Sequence, residues 1–152
     1  MITLRPVERD DLHPLFRLKV TAEQDGWVAP NEFTLAQAPY ETGAYVFAIR
    51  NDDEIVGLLA MIDFREHAYV MEGEDREAAN LWRLLIGADH QNKGYGRAAM
   101  GLAFDWARAR GNPRFGTSVV PENAAGLAFY RSLGLEPTGL IVDGETVLSR
   151  DL

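Results

Sequence analysis

Short apolar runs in the first half of the chain predict a helix followed by two paired strands. Residues 45–49 and 55–62 are rich in β-branched and apolar side chains, and the polar residues 51–54 between them are typical of a hairpin turn. Upstream, Asp10 is predicted to cap a helix whose opening turn contains Pro14. The apolar positions that this helix would bury are Leu12, Leu15, Phe16 and Val20.

The second half of the chain predicts a strand, helix, strand, helix order. Residues 81–86 form an apolar strand that leads directly into a loop containing glycines at residues 91–96. Residues 21–42, nearer the start, show no sustained period and are expected to form loops or short helices. The remaining predicted elements are a helix with apolar repeats at 100–107, a strand at 115–120, a helix at 123–133 and a hairpin at 140–148, with Gly111 and Gly134 as helix stops.

Composition narrows the possible classes of protein. A chain of 152 residues, 47% of them hydrophobic, suits one domain over residues 1–152. No apolar stretch approaches the roughly 20 residues that a membrane span needs, and the first residues lack the pattern of a secretory signal, so no membrane association and a cytoplasmic location are expected. The absence of cysteine excludes disulfides, a cysteine nucleophile and thiolate metal sites, and no metal is predicted. The net charge of −8 argues against nucleic-acid binding and favours a cationic substrate.

The loop at residues 91–96 carries the clearest chemical signal. A strand that delivers glycines to the start of a helix presents free backbone N–H groups at the positive end of the helix dipole, which suits a pyrophosphate. Gly94 and Gly96 allow close approach to the main chain, and Lys93 and Arg97 add positive charge. The same residues are compatible with an ordinary tight turn. A dinucleotide site is disfavoured, because it needs an acidic residue at the end of the next strand, where this chain has valines at 119 and 120.

Two motifs resemble the GNAT superfamily of N-acetyltransferases. Residues 91–96 match the family's acetyl-CoA motif, Gln/Arg-x-x-Gly-x-Gly/Ala, at each specified position. Residues 121–134 match a second signature, in which an Asn precedes a helix with an aromatic-Tyr pair and a closing Gly. The close match covers residues 81–139. It implies an α/β (α+β) fold, with a mixed central sheet flanked by helices and a splayed parallel strand pair.

The resemblance also implies a cosubstrate and a set of site residues. Acetyl-CoA would be the acetyl donor, Tyr130 the acid that protonates the leaving thiolate, and Asn123 a second catalytic residue that also suits a helix cap. Main-chain groups of the splayed strand would hold the acetyl and pantetheine portions. The implied cofactor-binding residues are Leu85, Ile86, Gly87, Gln91, Asn92, Lys93, Gly94, Tyr95, Gly96, Arg97, Ala98, Asn123 and Tyr130.

The proton acceptor for the reaction is not identified by the pattern. Many family members place a glutamate on the fourth strand, whereas this chain has Arg83 near that position. An amine with a pKa near 10 is mostly protonated at neutral pH, so an acceptor or water relay is needed. Possible acceptors are Glu72, Glu74 and Asp75, which also suit a solvated acidic loop. Histidine side chains titrate in a useful range, but neither His67 nor His90 belongs to a motif that would make it catalytic.

Within the superfamily, the chain is most similar to bacterial spermine/spermidine acetyltransferases, on residues 4–7, 18–20, 28–31, 91–100 and 137–139. This resemblance implies a polyamine acceptor. The residues predicted to bind it are Glu23, Asp25, Trp27 and Glu32, with Phe33 nearby. An aminoglycoside or peptide amine would satisfy the same features, and a non-catalytic acyl-CoA sensor is the second class of function. A homodimer is compatible with the sequence.

Overall fold

The computed structural model describes all residues from 1 to 152, and its strands form one mixed sheet. The strands are β1 (Ile2–Pro6), β2 (Ala44–Asn51), β3 (Glu54–Asp63), β4 (Ala79–Ile86), β5 (Arg114–Val119), β6 (Glu136–Val142) and β7 (Glu145–Asp151). They lie in the order β1-β2-β3-β4-β5-β7-β6. Only the central β4–β5 pair is parallel. The predicted mixed sheet with one parallel pair is confirmed.

Four α-helices cover the two faces of the sheet. They are α1 (Leu12–Arg17), α2 (Asn31–Gln37), α3 (Tyr95–Ala109) and α4 (Ala124–Ser132). The larger apolar cluster joins one sheet face to α3 and α4, and the smaller one packs Leu15 of α1 against Leu58 and Ala60. None of the helices combines the length and apolar character that crossing a membrane requires.

The first predicted helix is shorter and differently capped than expected. Helix α1 ends at Arg17 instead of continuing to Val20, because Leu18 has an extended backbone with ψ of 123°. The prediction that Asp10 is the cap is wrong. Asp10 lies inside a 3-10 turn, and the side chain of Asp11 instead accepts a hydrogen bond of 2.9 Å from the backbone N–H of Glu8.

Turn geometry agrees with the sequence at the predicted chain reversals. Asp52, Asp143 and Gly144 have positive φ in the two hairpins, as tight turns between twisted strands require. Gly111 and Gly134 have φ of +82° and +87° after α3 and α4, which is the left-handed conformation predicted for a helix stop. Strand β1 was not predicted, and it pairs with β2 along its whole length.

Asp63, at the end of β3, is a fully buried carboxylate that ties β3 to the end of α3. Arg65 and Arg110 pair with it at 2.9 and 3.2 Å, and Asn112 donates to it at 3.1 Å. Burial alone would raise the pKa of Asp63, but these hydrogen bonds outweigh it and lower the pKa to about 2. The network closes the end of the sheet at which β4 begins.

Asp63→Asn should therefore destabilise the fold by about 3 kcal/mol at neutral pH, because it leaves two arginines without their buried counter-charge. Because the pKa is lowered in the folded protein, the contribution of Asp63 to the free energy of unfolding is complete above about pH 4, the pKa of an unperturbed Asp. This contribution is lost as the pH falls towards about 2. Urea unfolding of both proteins at several pH values measures this. Asp105→Asn is the control, because Asp105 forms an exposed pair with Arg108. An equal loss of stability in both variants would contradict the stabilising role of Asp63.

Candidate active site

The parallel strands β4 and β5 are hydrogen-bonded only where they begin. Their pairing runs from Ala79–Phe115 to Leu81–Thr117 and then stops, although β4 continues to Ile86. The last link is a hydrogen bond of 3.0 Å from Thr117 Oγ1 to the Leu81 carbonyl. In the ladder with β3, Leu81 pairs with Met61 and Arg83 with Ala60, so Trp82 is the extra residue of a β-bulge. The strands separate beyond this point.

A cleft of about 850 Å³ occupies the gap between the separated strands. Its walls are β4, the end of β5, the start of α3, helix α4, the β6–β7 turn, the segment between α1 and α2, and parts of the loops before β2 and after β3. Most of the predicted cofactor-binding residues line it: Leu85, Ile86, Gln91, Asn92, Gly94, Tyr95, Gly96, Arg97, Asn123 and Tyr130. Gly87, Lys93 and Ala98 lie outside the lining, and the Gly87 N–H is already bonded to the Val56 carbonyl at 3.0 Å.

The loop before α3 presents unused backbone donors. No backbone N–H from Asn92 to Arg97 donates to a carbonyl or a side chain of the protein, whereas the N–H of Ala98 begins the helical ladder at the Gly94 carbonyl. Asn92 and Gly94 have φ of +60° and +82°, and such left-handed residues curve the chain into an anion-binding concavity. A Cβ on Gly94 would meet nothing within 4 Å. The loop therefore fits the phosphates of a CoA-type cosubstrate.

Gln91 holds this loop in place through its side chain. Its Nε2 donates to Gln24 Oε1 at 2.8 Å and to the Ile86 carbonyl at 2.9 Å. In return, Gln24 Nε2 donates to Gln91 Oε1 at 3.0 Å. The side chain of Gln91 is thus bonded within the protein, and it anchors the loop to β4 and to the turn after α1. Gln24 has no sequence signal, because its partner lies 67 residues away.

Asn123 caps α4, as its position before the helix suggested. Its Oδ1 accepts a hydrogen bond of 2.8 Å from the Gly126 N–H. A Cβ on Gly126 would lie between 2.4 and 3.0 Å from three atoms of the Asn123 side chain, so this cap geometry requires glycine at position 126. The side chain still lines the cleft.

Tyr130 brings a free hydroxyl to the same cleft. It lies on α4, and its ring packs edge-to-face against Phe129 with centroids 5.2 Å apart. Its hydroxyl has no hydrogen-bond partner within the protein. Burial raises the pKa of Tyr130 above the ordinary value for tyrosine, so this phenol is protonated at neutral pH. The site thus contains a neutral proton donor with an unused O–H.

The predicted acceptor-binding residues are only partly brought together. Trp27 lines the cleft, whereas Glu23, Asp25 and Glu32 do not. Glu32 instead pairs with Lys19 at 2.7 Å on the surface, and the hydrogen bond from Lys19 lowers the pKa of Glu32. Carboxylates not predicted as site residues line the cleft in their place, namely Glu41, Asp143 and Glu145, together with Glu74 from the acidic loop.

Of the candidate proton acceptors, Glu74, His67 and His90 line the cleft. Glu72 and Asp75 lie outside the lining, and Asp75 pairs with Arg114. The side chain of His67 is only 9% exposed and lines the cleft. His67 Nδ1 lies 2.9 Å from the Thr42 carbonyl, which can only accept, so in the neutral imidazole the lone pair is on Nε2. Nε2 lies 3.9 Å from Glu41.

Arg83 enters the cleft from β4, next to the bulge. Its guanidinium stacks on the Trp82 ring with its central carbon 4.4 Å from the centroid, and Nη2 donates to Gln37 Oε1 at 3.0 Å. Burial lowers the pKa of Arg83, and the charges of Glu145 and Glu41 oppose that shift. The position expected to hold a base therefore holds a cation.

Comparison with known proteins decides the family. The model of the acetyltransferase (GNAT) family matches residues 11–135. The chain belongs to the acetyltransferase (GNAT) family. This confirms the predictions of an acetyltransferase and of acetyl-CoA as its cosubstrate.

Solved structures of this family share the fold at low sequence identity, although no curated protein sequence matches the chain significantly. A PaiA N-acetyltransferase from Thermoplasma acidophilum in complex with coenzyme A has a TM-score of 0.72 and 14% identity, over 100% of this chain and 99% of that one. The ribosomal-protein-S18-alanine N-acetyltransferase from Escherichia coli gives 0.68 and 19%, over 100% and 93%. The spermidine/spermine N-acetyltransferase SpeG from Vibrio cholerae gives 0.67 and 18%, over 99% and 95%.

Proposed function

We propose that this GNAT acetyltransferase transfers an acetyl group to a primary amine by direct attack in a ternary complex, with Tyr130 as general acid. The observation that carries the proposal is the cleft between β4 and β5, which combines a loop of free N–H groups at one end with the unbonded Tyr130 hydroxyl. Acyl transfer needs both features in one site, because the cosubstrate must be held while its leaving group is protonated.

The donor half of the cleft is the part around the loop before α3. The free N–H groups from Asn92 to Arg97 would hold the phosphates, with added charge from Lys93 and Arg97. The edge of β4 beyond Leu81 has no strand partner and would hold the pantetheine portion through main-chain groups. Acetyl-CoA supplies the thioester carbonyl and the thiolate leaving group. The Asn123 cap fixes the start of α4 and thereby the position of Tyr130.

Different side chains of the cleft would donate and accept the protons of the reaction. Tyr130 donates to a thiolate, and its raised pKa keeps the proton available throughout the neutral range. Arg83 cannot accept a proton from the amine, since a guanidinium stays charged. The proton acceptors that line the cleft are its carboxylates, Nε2 of His67 and the imidazole of His90. The amine proton is therefore expected to pass to one of these groups, directly or through water.

A polyamine is the acceptor favoured by the sequence resemblance. The net charge of −8, the cleft carboxylates Glu41, Glu74, Asp143 and Glu145 and the aromatic ring of Trp27 support it. The fold shared with SpeG is a further, weaker support. An aminoglycoside or a peptide amine is the alternative. A cytoplasmic location and a homodimer stay predictions.

The cosubstrate loop can be tested with Gly96→Val. Gly96 lines the cleft at the first turn of α3, and Phe129 and Ile86 already lie 3.6 and 3.8 Å from the position of a Cβ there. Added methyl groups should occupy the space beside the free N–H groups and weaken CoA binding at least about 10-fold in calorimetry. Gly101→Val makes the same change on the exposed face of α3, where a Cβ meets nothing within 4 Å, and should leave affinity unchanged. Equal affinities for both variants would mean that CoA binds elsewhere.

Tyr130→Phe tests the general acid. The change keeps the ring against Phe129 and removes only the unbonded hydroxyl, so kcat should fall by about 10²- to 10⁴-fold with little change in CoA affinity. Single-turnover rates should accompany kcat, because slow product release can hide a loss in chemistry. Tyr69→Phe is the matched control, since Tyr69 lines the same cleft. Near-normal single-turnover rates in Tyr130→Phe would make the tyrosine structural.

The polyamine acceptor is tested by CoA release with spermidine and spermine. If the cleft accepts polycations, both should support turnover, and added salt should raise KM because surface charge attraction is screened. An aminoglycoside and a peptide with a free amino terminus serve as the comparison. Turnover with either of these but not with the polyamines would reject a polyamine acceptor.

A further inference from the structure

Arg83 has no carboxylate partner, in contrast to the arginines that pair with the buried carboxylates of Asp11 and Asp63. Arg50 pairs with Asp11 at 2.6 Å, and Arg65 and Arg110 pair with Asp63. Arg83 is half-buried in the cleft, yet no carboxylate lies within 4 Å of it. A buried charge without a counter-charge is unfavourable in the free protein. Binding an anion there would remove that penalty.

The guanidinium of Arg83 is held ready for such a ligand. It donates to two neutral oxygens only, Oε1 of Gln37 at 3.0 Å and the Trp82 carbonyl at 3.3 Å, and it has further N–H groups to offer. Stacking on the Trp82 ring fixes the plane of the guanidinium. A planar guanidinium in a fixed orientation can donate two parallel hydrogen bonds to the two oxygens of a carboxylate.

The charges around Arg83 define the rest of the ligand. Glu41 and Glu145 are the acidic groups whose charge acts on Arg83, and both line the cleft without hydrogen bonding to it. Glu145 accepts a hydrogen bond of 3.3 Å from Ser118 Oγ, and Glu41 lies 3.9 Å from His67 Nε2. Neither carboxylate pairs with a lysine or an arginine, so each can bind an ammonium group. A ligand that places a carboxylate on Arg83 and a cationic group beside Glu41 or Glu145 would leave no charge in this part of the cleft without a counter-charge nearby.

We propose that Arg83 binds a carboxylate of the acceptor, so that the acetylated amine belongs to an amino carboxylic acid. This rests on the proposed acetyl transfer to a primary amine, and within that reaction it selects an amino acid, not a polyamine, as the preferred acceptor. Diamines such as cadaverine and putrescine have the ammonium groups that the cleft carboxylates suit, but they offer nothing to Arg83. Lysine and ornithine are the same skeletons with one carboxylate added. Arg83 thus acts as the residue that selects the acceptor.

The test compares acceptors that differ only in the carboxylate. Calorimetry is done with the full chain saturated with CoA, which carries no acetyl group and so cannot react. It gives affinities for three pairs of an amino acid and its amine: lysine and cadaverine, ornithine and putrescine, and tyrosine and tyramine. In at least one pair the amino acid should bind about 10- to 100-fold more tightly, the range expected for charge-assisted hydrogen bonds. Lysinamide has the size and the ammonium groups of lysine but a neutral amide in place of the carboxylate, so it should bind like cadaverine.

Variants at position 83 assign the effect to the guanidinium. Arg83→Met keeps most of the stem over Trp82 and should abolish the preference for the amino acid without weakening the binding of the diamine. Arg83→Lys should retain part of the preference, because it keeps the charge and loses the planar guanidinium. CoA affinity and the midpoint of thermal unfolding verify that each variant is folded. The lysine–lysinamide comparison needs no variant and stands if one of them fails to fold.

Three results would overturn the proposal: no preference within any pair, a preference that survives in Arg83→Met, or no binding of the three amino acids at millimolar concentration. Acetyl transfer is measured separately, as CoA release from acetyl-CoA. A carboxylate preference without any turnover would reject the transferase reaction and leave the carboxylate site intact. Turnover without a preference for the carboxylate would support the transferase reaction and reject the role of Arg83.

Discussion

The parting of β4 from β5 is the constraint on which the candidate site depends. Each strand keeps its outer ladder along its length, β4 with β3 as far as Ile86 and β5 with β7 as far as Val119. Only the edges that face each other lose their partners, after Leu81 and Thr117. Buried backbone groups without partners are unfavourable, so this gap is stable only when solvent or a ligand occupies it. A sheet interrupted in this way forms a binding site at its centre without losing its outer pairing.

Two groups of side chains hold the gap at its ends. At the closed end, Asp63 binds Arg65, Arg110 and Asn112 and thereby joins β3 to the segment between α3 and β5. At the open end, the paired amides of Gln24 and Gln91 hold the loop before α3 against the end of β4. The donor half of the cleft is therefore fixed from both sides. The carboxylates that line the cleft come from segments in distant parts of the chain.

Local sequence signals predicted the elements around the loop before α3 and failed where distant segments meet. The start of α3, the Asn123 cap and the stop at Gly134 follow from residues within one or two turns of each other, so spacing alone revealed them. Strand β1 has too few residues to show a period, and its place is set by pairing with β2. Glu41 and Glu145 reach the cleft from segments that are far apart in the sequence. No pattern in the sequence links such residues, since only the folded topology brings them together.

The cleft shows why the total charge of a protein is an incomplete guide to its substrate. A net charge of −8 attracts cations from a distance, but screening by salt limits that field to about 10 Å at ordinary ionic strength. Within the cleft, recognition depends on which groups lack partners. Arg83 is desolvated and meets only neutral oxygens, whereas Glu32 on the surface is already neutralised by Lys19. Because an unpaired, desolvated charge gains most from a counter-charge, the single cation near the bulge constrains the acceptor more strongly than the acidic surface does.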